Sequence, residues 1–370
     1  MWTLLTSIVL LFAASCSEPT YDLIELTDGQ DNARRWSIAF DGTDYAVVWT
    51  TSANRPTDDR LWFARVSPAG DFVTAPTAVL EIGDATGELH LVATGTTYVV
   101  WFRQDITGTA PVRAVAIDEQ GDALAPSVQV GTAYGAPAAI SVAWTGSGFA
   151  VLGGRLASSQ SDQYLSRVSP ELVVLGSSIV ETSVTTQIEP RLVWSPSDAT
   201  FVAAWTEGAR IRVARLATDG ALIAPSEEIA AGADAQAHAI AAADDAGHVM
   251  VGWAERTGQR ARFATSAGGP WRFHAGLIDD SRYEWLEPAI AVRAERAVVA
   301  WSSDADTALT QILVGELALD DGTALEHVRA LTPSRSRYRT PRLAAGTAQS
   351  GLVFGGTVNG SERLYFTTVE

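Results

Sequence analysis

Three segments of the sequence combine arginine with aromatic residues, a combination that suits the recognition of anions and sugars. They read DGQDNARRW (28–36), DDSRYEWLEP (279–288) and LTPSRSRYRTPR (331–342). A guanidinium group donates paired hydrogen bonds to a carboxylate or a phosphate, and its flat surface stacks on other planar groups. The predicted ligand-binding residues are Arg34, Arg35, Arg282, Tyr283, Trp285, Arg335, Arg337, Tyr338, Arg339 and Arg342.

The charge balance of these segments leaves a second interpretation open. Their net charges are 0, −3 and +4, so mutual ion pairs would neutralise most of the arginines and leave them a structural role. The 331–342 segment differs because it holds four arginines and no acidic residue. We therefore expect this segment to be the strongest candidate for binding an anionic ligand or an acidic partner.

Motifs for catalysis and cofactor binding are missing from the sequence. It has no HExxH pair, GxSxG turn, P-loop or GxGxxG fingerprint, so zinc hydrolysis, serine ester chemistry and nucleotide binding have no residue basis. The five histidines are scattered, and no spacing among the acidic residues selects a glycosidase pair. We predict no catalytic residue, no metal and no cofactor.

Charge excludes one large class of partner. The chain has 43 acidic residues against 26 basic ones, all of them arginine, and a formal net charge of −17. A surface of this sign repels the phosphate backbone of nucleic acids and anionic lipid headgroups. We predict no nucleic-acid partner, and membrane contact through a covalently attached lipid only.

The first residues, MWTLLTSIVLLFAASC, are typical of an export signal. The apolar run is too short to cross a bilayer, and small residues precede Cys16, the only cysteine of the chain. The end of the run resembles the lipobox of bacterial lipoproteins, which implies a signal peptide over 1–15, lipidation at Cys16, a short tether over 16–20 and anchoring in the outer membrane. The alternative is an ordinary signal peptide followed by an unmodified cysteine.

Seven short apolar runs recur along the rest of the chain. They end at Trp49, Trp101, Gly153, Trp205, Trp253, Trp301 and Gly355, at intervals of 52, 52, 52, 48, 48 and 54 residues. Each period contains four short strands separated by turn residues, as in YAVVWT preceded by Asp41-Gly42. Repeated four-stranded units of this length are typical of a β-propeller, in which the five tryptophans would be buried between neighbouring sheets.

The fold predicted for residues 21–370 is thus all-β, a seven-bladed β-propeller with four-stranded antiparallel blades. The last unit runs out of sequence after three strands, while YDLIELT precedes the first unit. An exposed sheet edge favours pairing with a free strand, so we expect Tyr21 to Thr27 to pair with Arg363 to Val369. The three arginine segments would then be loops on one face, leading into blades one, six and seven.

Runs such as YAVVW followed by ARVSPAGD resemble the repeat-containing propeller lipoproteins of bacteria. The WD40, kelch and sialidase Asp-box signatures are absent from the sequence. Our leading hypothesis is a lipid-anchored module of the cell envelope, facing the periplasm or the surface, that binds a protein or an envelope glycan without catalysis. The rival interpretation is a carbohydrate-active enzyme, a glycosidase or lyase, that uses carboxylates and arginines of the same face.

Overall fold

A computed structural model gives the structure of the chain. It describes residues 22–27, 32–52, 59–83, 85–104, 111–131, 139–157, 160–185, 187–231, 240–255, 260–279, 288–306, 309–319, 325–333 and 337–370. Several predicted residues lie outside this part: Cys16 with its signal peptide and tether, Arg282, Tyr283, Trp285 and Arg335. Within the described residues, no helix has the length and apolar composition needed to cross a bilayer.

The strands follow one another in groups of four after a short first strand, β1 (Ile24–Glu25). Blade 1 consists of β2 (Asn32–Phe40), β3 (Tyr45–Ser52), β4 (Asp59–Val66) and β5 (Phe72–Glu81). Blade 2 consists of β6 (Ala85–Ala93), β7 (Tyr98–Gln104), β8 (Val112–Ile117) and β9 (Val128–Gly131). Blade 3 consists of β10 (Ile140–Trp144), β11 (Phe149–Ala157), β12 (Gln160–Val168) and β13 (Val174–Ser183).

The remaining blades repeat this order. Blade 4 consists of β14 (Gln187–Ser195), β15 (Thr200–Glu207), β16 (Arg210–Leu216) and β17 (Glu227–Ala231). Blade 5 consists of β18 (Ile240–Ala243), β19 (Val249–Glu255), β20 (Arg260–Ser266) and β21 (Arg272–Asp279). Blade 6 consists of β22 (Ala289–Arg293), β23 (Arg296–Asp306), β24 (Leu309–Ala318) and β25 (Glu326–Ala330), and blade 7 of β26 (Arg337–Ala345), β27 (Ser350–Val358), β28 (Ser361–Val369) and β1.

The blades form a closed ring. Within each blade the strands pair antiparallel in chain order, and a single parallel bridge between Thr310 and Arg337 joins blades 6 and 7. Each innermost strand contacts the innermost strand of the next blade, including β26 of blade 7 with β2 of blade 1. The predicted seven-bladed propeller is confirmed. We call the face at which the innermost strands begin the upper face.

The second strand of each blade is buried on both sides. In β3, Val47 and Trp49 pack against blade 7, whereas Ala46 and Val48 pack against blade 2. Because successive side chains of a strand point to opposite faces, a strand packed between two sheets is apolar at every position. The runs YAVVW and its repeats have this pattern.

Turns on the lower face are held by side chains. The Asp41 carboxylate accepts hydrogen bonds from the backbone amides of Thr43 and Asp44, both at 2.8 Å, across a turn in which Gly42 has a φ of 103°. Arg65, which is buried, bridges Asp41 at 3.1 Å and Asp44 at 2.9 Å. The Tyr98 hydroxyl of blade 2 also donates to Asp41, so this polar cluster ties blades 1 and 2 together.

The five repeated tryptophans are buried, as predicted, and each is at most 4% exposed. Four of them pack against the preceding blade, but Trp101 packs against the following one, 5.2 Å from the ring of Phe149. The cause is local, because YVVW places its tryptophan three residues after tyrosine where YAVVW places it four after. In β7 the side facing blade 1 is instead filled by Phe102.

Packing also explains why glycine occupies position 355. A Cβ atom at this position would lie 2.4 Å from Cη2 of Trp36 in blade 1. Trp36 therefore takes the space that a side chain at the repeat position would fill, and its indole N–H donates to the carbonyl of Thr340 at 2.9 Å. This contact fixes blade 1 to blade 7 beside the central axis.

The two ends of the chain share one sheet. Ile24 lies opposite Phe366 and Glu25 opposite Tyr365 in an antiparallel pair, and the amide of Leu26 donates to the carbonyl of Leu364 at 2.8 Å. The amide of Leu364 in turn donates to the Thr27 hydroxyl, and Arg363 donates to both Glu25 oxygens at 2.9 Å. The predicted closure is confirmed over the described residues 22–27.

Candidate binding face

Closure of the ring brings two of the three predicted arginine segments together at the upper face. Arg34 and Arg35 lie on β2, and Arg337, Arg339 and Arg342 lie on β26, the innermost strands of neighbouring blades. The expectation that these residues form loops is wrong. Pairing with β3 and β27 extends both innermost strands to the edge of the upper face.

Both strands are irregular where the arginines lie. The register of β2 against β3 shifts between Ala33 and Trp36, and that of β26 against β27 shifts between Arg339 and Arg342. Thr340, inside the second shift, has a φ of 51°, a left-handed conformation that is uncommon outside glycine. Such bulges redirect side chains at the ends of sheets and are frequent beside functional sites.

Arg35 and Arg339 each lie beside a carboxylate. Arg35 lies 4.0 Å from the carboxylate of Asp59, which is almost fully buried, and Arg339 lies 3.0 Å from that of Glu362. The backbone amide of Glu362 also donates to Asn32 Oδ1 at 3.2 Å, so blade 7 is linked to the first residue of β2. Glu362 was not predicted from the sequence. It is the second residue of β28, the third strand of blade 7, and Arg60 holds the same position in β4 of blade 1.

The other three arginines differ in their surroundings. Arg342 is half-buried and donates to the carbonyl of Pro341 at 3.2 Å, whereas Arg34 and Arg337 are exposed. The innermost strands of two neighbouring blades thus carry five arginines in a chain whose net charge is −17. We call these five residues the upper arginine cluster.

Tyr338 does not belong to this surface. It is 6% exposed, and its ring packs edge-on against Phe354 and Tyr365 at 5.7 Å and 6.0 Å. Residues alternate between two sides along β26, so Arg337 and Arg339 point away from the side that holds Tyr338. The prediction that Tyr338 contacts a ligand is corrected: it is a core residue of blades 6 and 7.

Other ionisable groups near the second-to-third strand connections are also paired. Asp162 accepts from the Tyr164 hydroxyl at 3.1 Å, Glu207 lies 3.6 Å from Arg212, and Glu255 lies 3.1 Å from Arg262. Among the described residues, no group of three His, Cys, Asp or Glu side chains is arranged to hold a metal ion.

Comparison with known proteins supports the fold and no more. No protein-family model and no curated protein matches the chain. Among solved structures, the chain is similar to the β-propeller domain of the Trilobed protease from Pyrococcus furiosus, with 10% identity, a TM-score of 0.53 and coverage of 91% of this chain and 93% of that one. That domain is described as having an open velcro topology, whereas here β1 pairs with β28.

Two further similarities involve hydrolases. A prolyl endopeptidase structure matches with 15% identity and a TM-score of 0.54, over 90% of this chain and 47% of that one. A Hadza microbial sialidase matches with 13% identity and a TM-score of 0.51, over 88% of this chain and 76% of that one. The chain thus spans about half the length of the peptidase, and identities this low establish the propeller fold alone.

Proposed function

We propose that this protein is a lipid-anchored binding module of the cell envelope, with a propeller that presents the upper arginine cluster to an acidic protein or an acidic glycan. It acts without catalysis and is exported and attached to the outer membrane through Cys16. The observation that carries the proposal is the pair of exposed arginines, Arg34 and Arg337, on adjoining innermost strands of an otherwise acidic protein.

Rigidity supports a recognition role for this cluster. The bond from Trp36 to Thr340 joins the two strands that carry it, and the link from Glu362 to Asn32 joins β28 to β2. A cluster on paired and cross-linked strands keeps its spacing without a ligand, so less conformational entropy is lost on binding. Arg35 and Arg339, already paired with carboxylates, would position the site more than they would bind.

The test is binding of a defined polyanion to the purified mature protein. We expect polygalacturonate or polyglutamate to bind in low salt, and the double variant Arg34→Gln/Arg337→Gln to bind about ten-fold more weakly, which corresponds to about 1.4 kcal/mol. Arg296→Gln is the control, because Arg296 is also an exposed arginine but lies in blade 6 at the lower end of its strand, where it pairs with Glu316. Equal affinities of the two variants would refute the site.

A carbohydrate-directed hydrolase is the second candidate. It is favoured by the structural similarity to a sialidase and by the buried carboxylate of Asp59 beside Arg35. A hydrolase would release product from synthetic glycosides of acidic and neutral sugars, and Asp59→Asn would abolish that activity. Polyanion binding without any turnover would favour the binding module.

A further inference from the structure

A pocket lies in the cleft between blades 7 and 1. Its volume is about 360 Å³, and it is lined by Glu25, Leu26, Thr27, Trp49, Thr51, Trp62, Phe72 and Pro76. The first three residues belong to the closing segment at the start of the chain, and the other five belong to β3, β4 and β5 of blade 1. The pocket therefore exists only when the ring is closed.

Flat apolar surfaces form the wall on the side of blade 1. The ring of Trp62 is stacked on that of Trp49, with 6.2 Å between centroids and 9° between planes. Its indole N–H donates to the Thr51 hydroxyl at 2.9 Å, which fixes the orientation of the ring. Phe72 lies farther along the wall and is 43% exposed, so its ring is available to a ligand.

Apart from one carboxylate, the polar side chains that line the pocket are the uncharged hydroxyls of two threonines. Thr51 accepts from Trp62 and Thr27 accepts from the amide of Leu364, and in these contacts neither threonine uses its own O–H as a donor. Glu25 is the one ionisable lining residue, and Arg363 neutralises it through bonds to both carboxylate oxygens. An ionic ligand would therefore lose its hydration here without gaining an opposite charge.

The size and shape of the pocket restrict the class of ligand further. A volume near the lower limit for ligand pockets suits one ring in preference to an extended oligomer. A neutral pyranose has one flat face of C–H groups, which stacks on tryptophan or phenylalanine, and a rim of hydroxyls, which exchange hydrogen bonds with hydroxyl and carboxylate oxygens. Trp62, Phe72 and Thr51 offer these two kinds of contact in one cleft.

We propose that the pocket between blades 7 and 1 binds a neutral sugar ring of a glycan, held on the wall of Trp62 and Phe72. This site is separate from the upper arginine cluster, so it goes beyond the proposed function and does not depend on it. Since the two sides of the pocket come from the closing segment and from blade 1, a bound sugar favours the closed ring by an amount that grows with the ratio of the free sugar concentration to the dissociation constant.

The experiment titrates the purified mature protein with the methyl glycosides of glucose, galactose, mannose and N-acetylglucosamine, followed by calorimetry and tryptophan fluorescence. We expect at least one glycoside to bind with a dissociation constant of roughly 1 mM. Phe72→Ala should weaken that binding ten-fold or more. The matched control is Phe273→Ala, because Phe273 is an exposed phenylalanine on an outermost strand of blade 5.

Two further readouts separate this site from the arginine cluster and from simple apolar binding. The bound glycoside should slow hydrogen exchange of the Leu26 and Leu364 amides, and Arg34→Gln/Arg337→Gln should leave glycoside affinity unchanged. Phe72→Ala should leave polyanion binding unchanged. Binding of indole but of none of the glycosides, or equal glycoside affinity in Phe72→Ala and the original protein, would overturn the proposal.

Discussion

Leu26→Ala tests how much of the stability of the ring depends on its closure. Leu26 is 2% exposed and packs in one cluster with Leu364 and Phe366 of β28 and with Val47 of blade 1. Truncation of a buried leucine removes its transfer free energy and leaves a cavity, at a cost of about 3 kcal/mol. For a domain of this size each kcal/mol lowers the melting temperature by about 2 °C, so we expect a decrease of about 6 °C.

The assay is thermal and urea unfolding followed by circular dichroism and by tryptophan fluorescence. Leu124→Ala is the control, since Leu124 is an equally large side chain at 55% exposure and its truncation should change stability by less than about 0.5 kcal/mol. Glu25→Gln should also have a small effect, below about 1 kcal/mol, because its ion pair with Arg363 is partly exposed to solvent. If Leu26→Ala and Leu124→Ala unfold at the same temperature, the closing segment does not contribute to the fold as argued.

Two further predictions concern single contacts. Gly355→Ala should destabilise the protein by about 1–3 kcal/mol in urea unfolding, because the new Cβ would lie 2.4 Å from Trp36. The same substitution should cost much less stability in the Trp36→Leu variant. An equal loss of stability in both backgrounds would contradict the contact. Burial raises the pKa of Asp41, but hydrogen bonds from the Asp44 amide, the Tyr98 hydroxyl and the Thr43 amide outweigh it and hold that pKa below 3.8. Asp41 therefore contributes stability that is present above pH 4 and lost as the pH falls through its lowered pKa, so Asp41→Asn should reduce the stability difference between pH 7 and pH 3. Burial raises the pKa of Asp44, so this carboxyl group contributes less stability at pH 7 than at pH 3. Asp44→Asn should therefore increase the stability difference between pH 7 and pH 3. A change of this difference in the same direction for both variants would be inconsistent with these pKa directions.

Most of the architecture could be predicted from the sequence repeat. The spacing of the apolar runs predicted the seven blades and the buried tryptophans, since a local pattern repeated many times sets both. The pairing of the chain ends was predicted from a last unit that lacks one strand and from the spare segment before the first unit. The direction of Trp101 was also readable, because YVVW is one residue shorter than YAVVW and side chains alternate along a strand. Tryptophan positions alone do not show this difference, because the direction of a side chain depends on its position within the strand.

The candidate binding face was harder to predict from the sequence than the fold. Polar residues such as those from Arg337 to Arg342 look like a loop, and only pairing with β27 makes them a strand and turns Tyr338 into the core. The pocket between blades 7 and 1 was not predicted, because Leu26, Trp62 and Phe72 lie in the closing segment, β4 and β5 and meet only through the packing of blade 7 on blade 1. Nothing in their local spacing signals that they share a cleft.

The junction of β1 and β28 also has a consequence for how the protein folds. Arg363 and Glu25 are 338 positions apart, and contacts between such distant residues form late because the intervening chain must first become compact. The ring can thus be fastened only after the last strand has been synthesised. A chain that stops short of β28 leaves its first strand with no sheet to join, and blade 7 keeps an open edge.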